Sequence, residues 1–211
     1  VEVVPAALTD AGARTEVVDA VRAAGLVPHV LVNAAGLSTV GPVHASDPDA
    51  EVAMLRTDVE AVAHLCSLVL PTMVERRAGA VLNVASTAAF QPLPGQAGYA
   101  AAKAFVLSYS HALRGELRGT GVTVTALCPG PVHTEFAARA GFDPAEAQAV
   151  LPRPLWLPVE QVAEAGIEGL ERGRATVVPG MANRLGAVGG RLAPRSVLVP
   201  VAARLHPGLR R

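Results

Sequence analysis

Short apolar runs alternate with long amphipathic stretches along nearly the whole chain. Val30–Asn33, Gly79–Val84, Gly121–Leu127 and Ala175–Val178 are compact, valine- and leucine-rich runs. Between them the apolar spacing is helical: from Thr9-Asp10 to about Ala24, from Asp47-Pro48 to about Arg77, from Gln96 to about Arg118 and from Val159 to Arg172. Gly25 and Gly173 close the first and last of these helices, and Pro71 is the expected point of distortion in the second. Val1–Val4 reads as one further strand. Strands separated by helices connect through right-handed crossovers into a parallel sheet covered on both faces. The expected fold is therefore α/β, a Rossmann-like doubly wound parallel sheet. Burial on both faces also accounts for a 51% hydrophobic composition and a mean hydropathy of +0.36. No repeat or linker divides the chain, so residues 1–211 are read as one domain.

Composition removes several functions. Basic and acidic residues balance at 18 each, and only seven residues are aromatic, which leaves no electrostatic or stacking case for nucleic acid. Six histidines are scattered singly, without cysteines or carboxylates at ligand spacing, so no metal site is expected. Cys66 and Cys128 read as buried free thiols, pointing to a reducing cytoplasm. No signal peptide is visible, and no apolar run is expected to span a membrane.

The chemistry concentrates in one segment. Tyr99 and Lys103 are one helical turn apart and so share a face. An ammonium beside a phenol favours phenolate and is expected to lower its pKa from about 10, as a general acid/base near neutral pH requires. Ser86, at the end of the preceding strand, could hold a substrate carbonyl against that phenol. A lone Tyr-x-x-x-Lys is also what an ordinary surface helix pair looks like. Two further segments count against that reading: Leu31-Val32-Asn33-Ala34-Ala35-Gly36 and Cys128-Pro129-Gly130-Pro131-Val132-His133-Thr134. With Ser86 and Tyr99-x-x-x-Lys103 in the same order, the chain resembles the short-chain dehydrogenases/reductases from about Val1 to Pro200.

That resemblance implies the following roles. Tyr99 protonates a carbonyl oxygen or deprotonates an alcohol while hydride moves to or from a nicotinamide. Lys103 tunes the tyrosine and holds the cofactor ribose, and Ser86 orients the substrate oxygen. Asn33, Ala34, Gly36, Pro129, Gly130, Val132 and Thr134 line the cofactor, with Thr134 on the carboxamide. Asp58 takes the place of the usual asparagine of the proton relay, so a carboxylate enters the site. Ala34 replaces a second asparagine, and Ala7 an aspartate beside the adenine.

All these segments fall at C-terminal strand ends, where open α/β sheets bind ligands. The glycine-rich strand–turn–helix that cradles a pyrophosphate in the family has no counterpart here. Gly186-Ala187-Val188-Gly189-Gly190 has the wrong spacing and lies in a helical context. Val1–Val4 resembles the family's third strand, so the sheet is expected to be incomplete at its N-terminus, lacking two strands and a helix, with an apolar edge at Val30–Val32.

Residues 131–158 have the length of a substrate lid, with Phe136, Phe142, Leu155 and Trp156 as candidate apolar lining. Residues 181–211 read as an extension of amphipathic helices that packs on the domain or a subunit, membrane-surface association being the sharper alternative. The leading expectation is an NAD(P)-dependent oxidoreductase, NADP preferred over NAD, acting on a small apolar carbonyl or alcohol. A dimer or tetramer through the helices at Asp49–Arg77 and Gln96–Arg118 is implied. The alternative is a catalytically silent scaffold or binding protein.

Overall fold

The computed structural model describes residues 1–141 and 151–209. Among these, four strands form one parallel sheet in the order β1 (Val30–Asn33), β2 (Gly79–Val84), β3 (Val122–Leu127) and β4 (Thr176–Val177). Leu31 stands opposite Val81, and Val81 opposite Val124, which fixes the register across the centre.

Alternate residues of the strands feed opposite faces. Val81, Val122 and Val124 point into a cluster with Val18 of α1 (Ala11–Ala23), Cys66, Val69 and Met73 of α3 (Ala61–Glu75), and Leu113 of α4 (Ala97–Glu116). Leu82 and Leu127 point the other way, against Leu157, Val177 and Val162 of a helix at Val159–Glu171. Helices therefore cover both faces, and the doubly wound α/β reading holds. Both thiols are free and buried, and burial pushes Cys66 up to about 11 and Cys128 up to about 12.

Three expectations need correction. Val1–Val4 forms no strand. Strand backbone must pair, and no described strand lies on the outer side of β1, where Val30 and Val32 are 46% and 51% exposed. The long helix is irregular at Arg56–Glu60, a π turn between α2 (Pro48–Leu55) and α3, while α3 runs on through Pro71. Finally, Pro48–Glu75 is long and apolar enough by length and composition to cross a membrane, at a mean hydropathy of 1.2. In the fold its inner side covers the sheet, which explains the apolar character.

Candidate active site

The π turn inserts one extra residue per turn, a distortion that proteins use at functional positions. Here it sets Asp58 fully inside the protein. Lys103, in the second turn of α4 and 4% exposed, meets it: Nζ lies 2.9 Å from Asp58 Oδ2. The ammonium also donates to Val84 O at the end of β2, at 3.3 Å. Asp58 Oδ1 accepts from the Leu37 backbone N–H at 2.7 Å, tying the loop after β1 to the same pair. Gly36 closes the arrangement. A Cβ there would stand 3.2 Å from Lys103 Nζ and 3.3 Å from Asp58 Oδ2, tighter than an ordinary contact, so any side chain would have to push the ion pair aside.

Tyr99 stands beside this pair, its ring centroid 5.6 Å from Lys103 Nζ. Ser86 caps the short turn Thr87–Phe90, accepting from Ala88 N–H at 3.1 Å and reaching Pro129 O at 3.5 Å. Burial pushes the Tyr99 phenol above its ordinary pKa. Lys103 and a hydrogen bond from Ser86 oppose that, and the Asp58 carboxylate reinforces it. The net direction is upward, the reverse of the sequence expectation. The ammonium does favour phenolate, but desolvation of the phenol outweighs it, and Asp58 adds a smaller push in the same upward direction.

The remaining candidates separate by what holds them. Asn33 is buried, and its amide donates to Asn83 Oδ1 at 2.8 Å, so its side chain serves the core. Ala34 is exposed on the loop that follows. Pro129 is buried, its carbonyl accepting from Thr87 N–H at 2.8 Å. A Cβ on Gly130 would run into the Asn183 side chain. Val132 bridges to Leu157, and exposed Thr134 accepts from Phe136 N–H at 3.2 Å. Within the lid segment, Phe136 of α5 (Phe136–Arg139) packs on Tyr99 at 5.7 Å between ring centroids, and Trp156 stacks on His133 at 5.0 Å. Leu155 accepts from the Asn183 amide at 3.0 Å, and Phe142 lies outside the described residues. Ala7 accepts from Asp10 N–H at 2.9 Å, ahead of α1.

Ser86, Tyr99, Lys103, Asp58 and Gly36 thus converge at the C-terminal edge of the sheet. The family model described as short chain dehydrogenase matches residues 1–144. The chain belongs to the short-chain dehydrogenase family. Sulfoacetaldehyde reductase 2 of Chromohalobacter salexigens is 41% identical over 138 residues, 64% of this chain and 54% of that one. The NADP-dependent 3-hydroxy acid dehydrogenase of Escherichia coli K12 is 38% identical over 139 residues, 64% of this chain and 56% of its own. The chain spans about half the length of the curated relatives it matches. Among solved structures, a short-chain dehydrogenase from Sphingobium yanoikuyae in complex with NADPH superposes with a TM-score of 0.76 at 29% identity, covering 94% of this chain and 75% of the other.

Within this family site, the residues present fit the nicotinamide–ribose end of a dinucleotide. Gly36 leaves a cradle that a Cβ would fill, and the third ammonium hydrogen of Lys103 has no further acceptor among the described residues. Gly186–Gly190 lies inside a helix at Met181–Leu192 and forms no phosphate turn. Among the described residues there is no group of metal-ligating side chains.

Sequence reasoning missed the second tier. Asn83, fully buried, links Asn33 to Ser110 Oγ at 3.0 Å, and Ser110 donates to Val106 O at 2.7 Å. An asparagine inside an otherwise apolar strand is the signal that could have found it, because a buried amide must be satisfied. Gln96 and His206, joined at 3.3 Å across 110 residues, had no comparable local signal.

Proposed function

We propose that this chain carries the catalytic centre of an NAD(P)-dependent oxidoreductase that interconverts an apolar carbonyl compound and its alcohol. The observation that carries the reading is the convergence of Ser86, Tyr99 and Lys103 at one strand edge, with Lys103 anchored beneath Gly36 by Asp58. Gly36, Lys103, Val132 and Thr134 are the residues that would hold the nicotinamide half of the cofactor, which supplies the hydride when bound. NADP is preferred, in line with the NADPH-bound Sphingobium relative.

The protein's own work is proton management and positioning. Burial, and to a lesser degree Asp58, raises the Tyr99 phenol above its ordinary pKa against the opposing Lys103 and Ser86, which favours the neutral form. Tyr99 is therefore a proton donor to a carbonyl oxygen, and the reductive direction is the natural one. In the oxidative direction phenolate is needed, so alcohol oxidation rises as the pH climbs toward and past the ordinary phenol value of about 10. Ser86 shares the substrate oxygen with Tyr99 and fixes its position. Phe136 against Tyr99 keeps water from the phenol and presents an apolar wall, in keeping with residues 131–158 acting as a lid. Homo-oligomerisation through the long helices would cover the exposed Val52, Leu55 and Phe105.

One observation favours a second reading, that of a silent binding protein. Asp58 offsets the charge of Lys103, which the chemistry uses. A fluorescence titration with NADPH, followed by turnover of a panel of apolar aldehydes and ketones, separates the two. Binding with turnover that Tyr99→Phe abolishes supports the oxidoreductase. Binding without turnover in both proteins supports the silent reading, and absence of NADPH binding contradicts the oxidoreductase assignment for this chain.

A further inference from the structure

The zero net charge conceals a segregation. All eighteen acidic residues lie at or before Glu171, whereas Arg172 to Arg211 carries eight arginines and no acid. Two helices occupy most of this basic stretch, α7 (Met181–Leu192) and α8 (Arg195–Leu205), α7 following α6 (Val159–Glu171).

α7 is buried on one side and apolar on the other. Its inner side, Asn183, Ala187 and Gly190, is buried on the domain, with Gly190 tight against Gln91 and Asn183 against Gly130. Its outer side carries Met181, Leu185, Val188 and Leu192, spaced four, three and four apart and so aligned as one stripe. These side chains are 67%, 67%, 55% and 75% exposed. Val197, Val201 and Leu205 of α8, four residues apart, are also exposed. Single exposed leucines are ordinary, but aligned stripes on consecutive helices mark a surface that meets something. Arg184 and Arg191 are exposed on α7, and Arg195 donates to Gly190 O at 3.0 Å at the α7–α8 elbow.

The charge decides what that partner is. A second copy docked through the same face would bring arginines against arginines, an unfavourable juxtaposition. Apolar stripes flanked by arginine alone match the interface of a bilayer with anionic headgroups, where the side chains enter the acyl boundary and the guanidinium groups meet phosphates. At 12 and 11 residues, the helices are too short to cross a membrane and suited to lying on it.

We propose that the outer faces of α7 and α8 dock this protein on an anionic lipid surface. The inner side of α7 packs on the turn Thr87–Phe90 that follows Ser86 and on the Arg153–Leu155 turn of the lid segment. The bilayer therefore lies beside the catalytic cleft, and an apolar substrate dissolved in it has a short path to Tyr99. That consequence rests on the oxidoreductase reading; the docking itself does not.

Co-sedimentation tests it, with sucrose-loaded vesicles of phosphatidylcholine alone or mixed with phosphatidylglycerol, at low and raised salt. The protein is expected to pellet with the anionic mixture at least about tenfold more tightly than with phosphatidylcholine, and to be partly released by salt. The Leu185→Ser/Leu192→Ser variant is expected to lose this binding while keeping the native circular dichroism and unfolding temperature, because both side chains are on the surface. Failure to bind anionic vesicles at low salt overturns the proposal, as does equal binding to the neutral ones or undiminished binding by the folded double variant. A native dimer that this variant converts to monomer would show that a second copy covers the face, and would equally overturn it.

Discussion

The floor and the rim of the cleft are built on opposite principles. On the floor, Gly36, Asp58 and Lys103 are held together by an ion pair, the Leu37 backbone N–H and a missing Cβ, with both charged groups shielded from water. On the rim, the segment around Phe136 and Trp156 is fixed by ring contacts, exposed threonine and a four-residue helix. The floor cannot change one group without stranding another, since a buried charge that loses its partner is heavily penalised. The rim can exchange side chains at modest cost. On the proposed reading, reaction type is fixed below and substrate choice is left adjustable above.

Breaking the floor should give the largest effects. Tyr99→Phe removes the only phenol at the site, and loss of general-acid catalysis is expected to lower reductase turnover by about 10²–10⁴-fold with NADPH affinity little changed, as read by steady-state kinetics beside a fluorescence titration. Asp58→Leu strands the Lys103 ammonium, and the predicted loss of stability is about 3–5 kcal/mol by urea unfolding. A loss close to zero would mean that the pair is not formed.

Gly130→Ala sharpens the comparison where floor meets rim. Its Cβ must displace the Asn183 amide from Leu155 O and Pro179 O, at a cost of about 1–3 kcal/mol, while Gly119→Ala, with no described atom in contact range of its Cβ, should owe its smaller penalty to backbone conformation alone. Phe136→Ala on the rim should be mildest. It forfeits a ring contact of about 0.5–1.5 kcal/mol and should change KM for apolar substrates more than turnover. A Phe136→Ala variant as damaged as Tyr99→Phe would abolish the distinction between floor and rim.

The same division governs what could be read from sequence. The strands at Val30–Asn33 and Gly79–Val84 and the helix carrying Tyr99 were legible because local apolar period and long-range burial agree there. Ser86, Tyr99 and Lys103 were legible because their spacing is short-range. Val1–Val4 misled because strand propensity needs a paired neighbour to be realised, and none is described. The π turn at Arg56–Glu60 leaves no compositional trace, so the depth of Asp58 was invisible, and the burial of the Tyr99 phenol that sets the direction of its shift was equally so. A sequence states that an ammonium adjoins a phenol. Only the fold states how far that phenol is withdrawn from water, which outweighs the ammonium.

That last point is the centre of the account, and Tyr99 can be observed directly. With Tyr109→Phe removing the other tyrosine, whose phenol burial pushes up to about 12, absorbance near 295 nm follows Tyr99 alone as the pH rises, while circular dichroism verifies that the fold persists. The account predicts that phenolate forms only above the ordinary phenol value of about 10 in this background, because burial prevails, and that Asp58→Asn brings it down only slightly. Phenolate already present near neutrality in this background would contradict it.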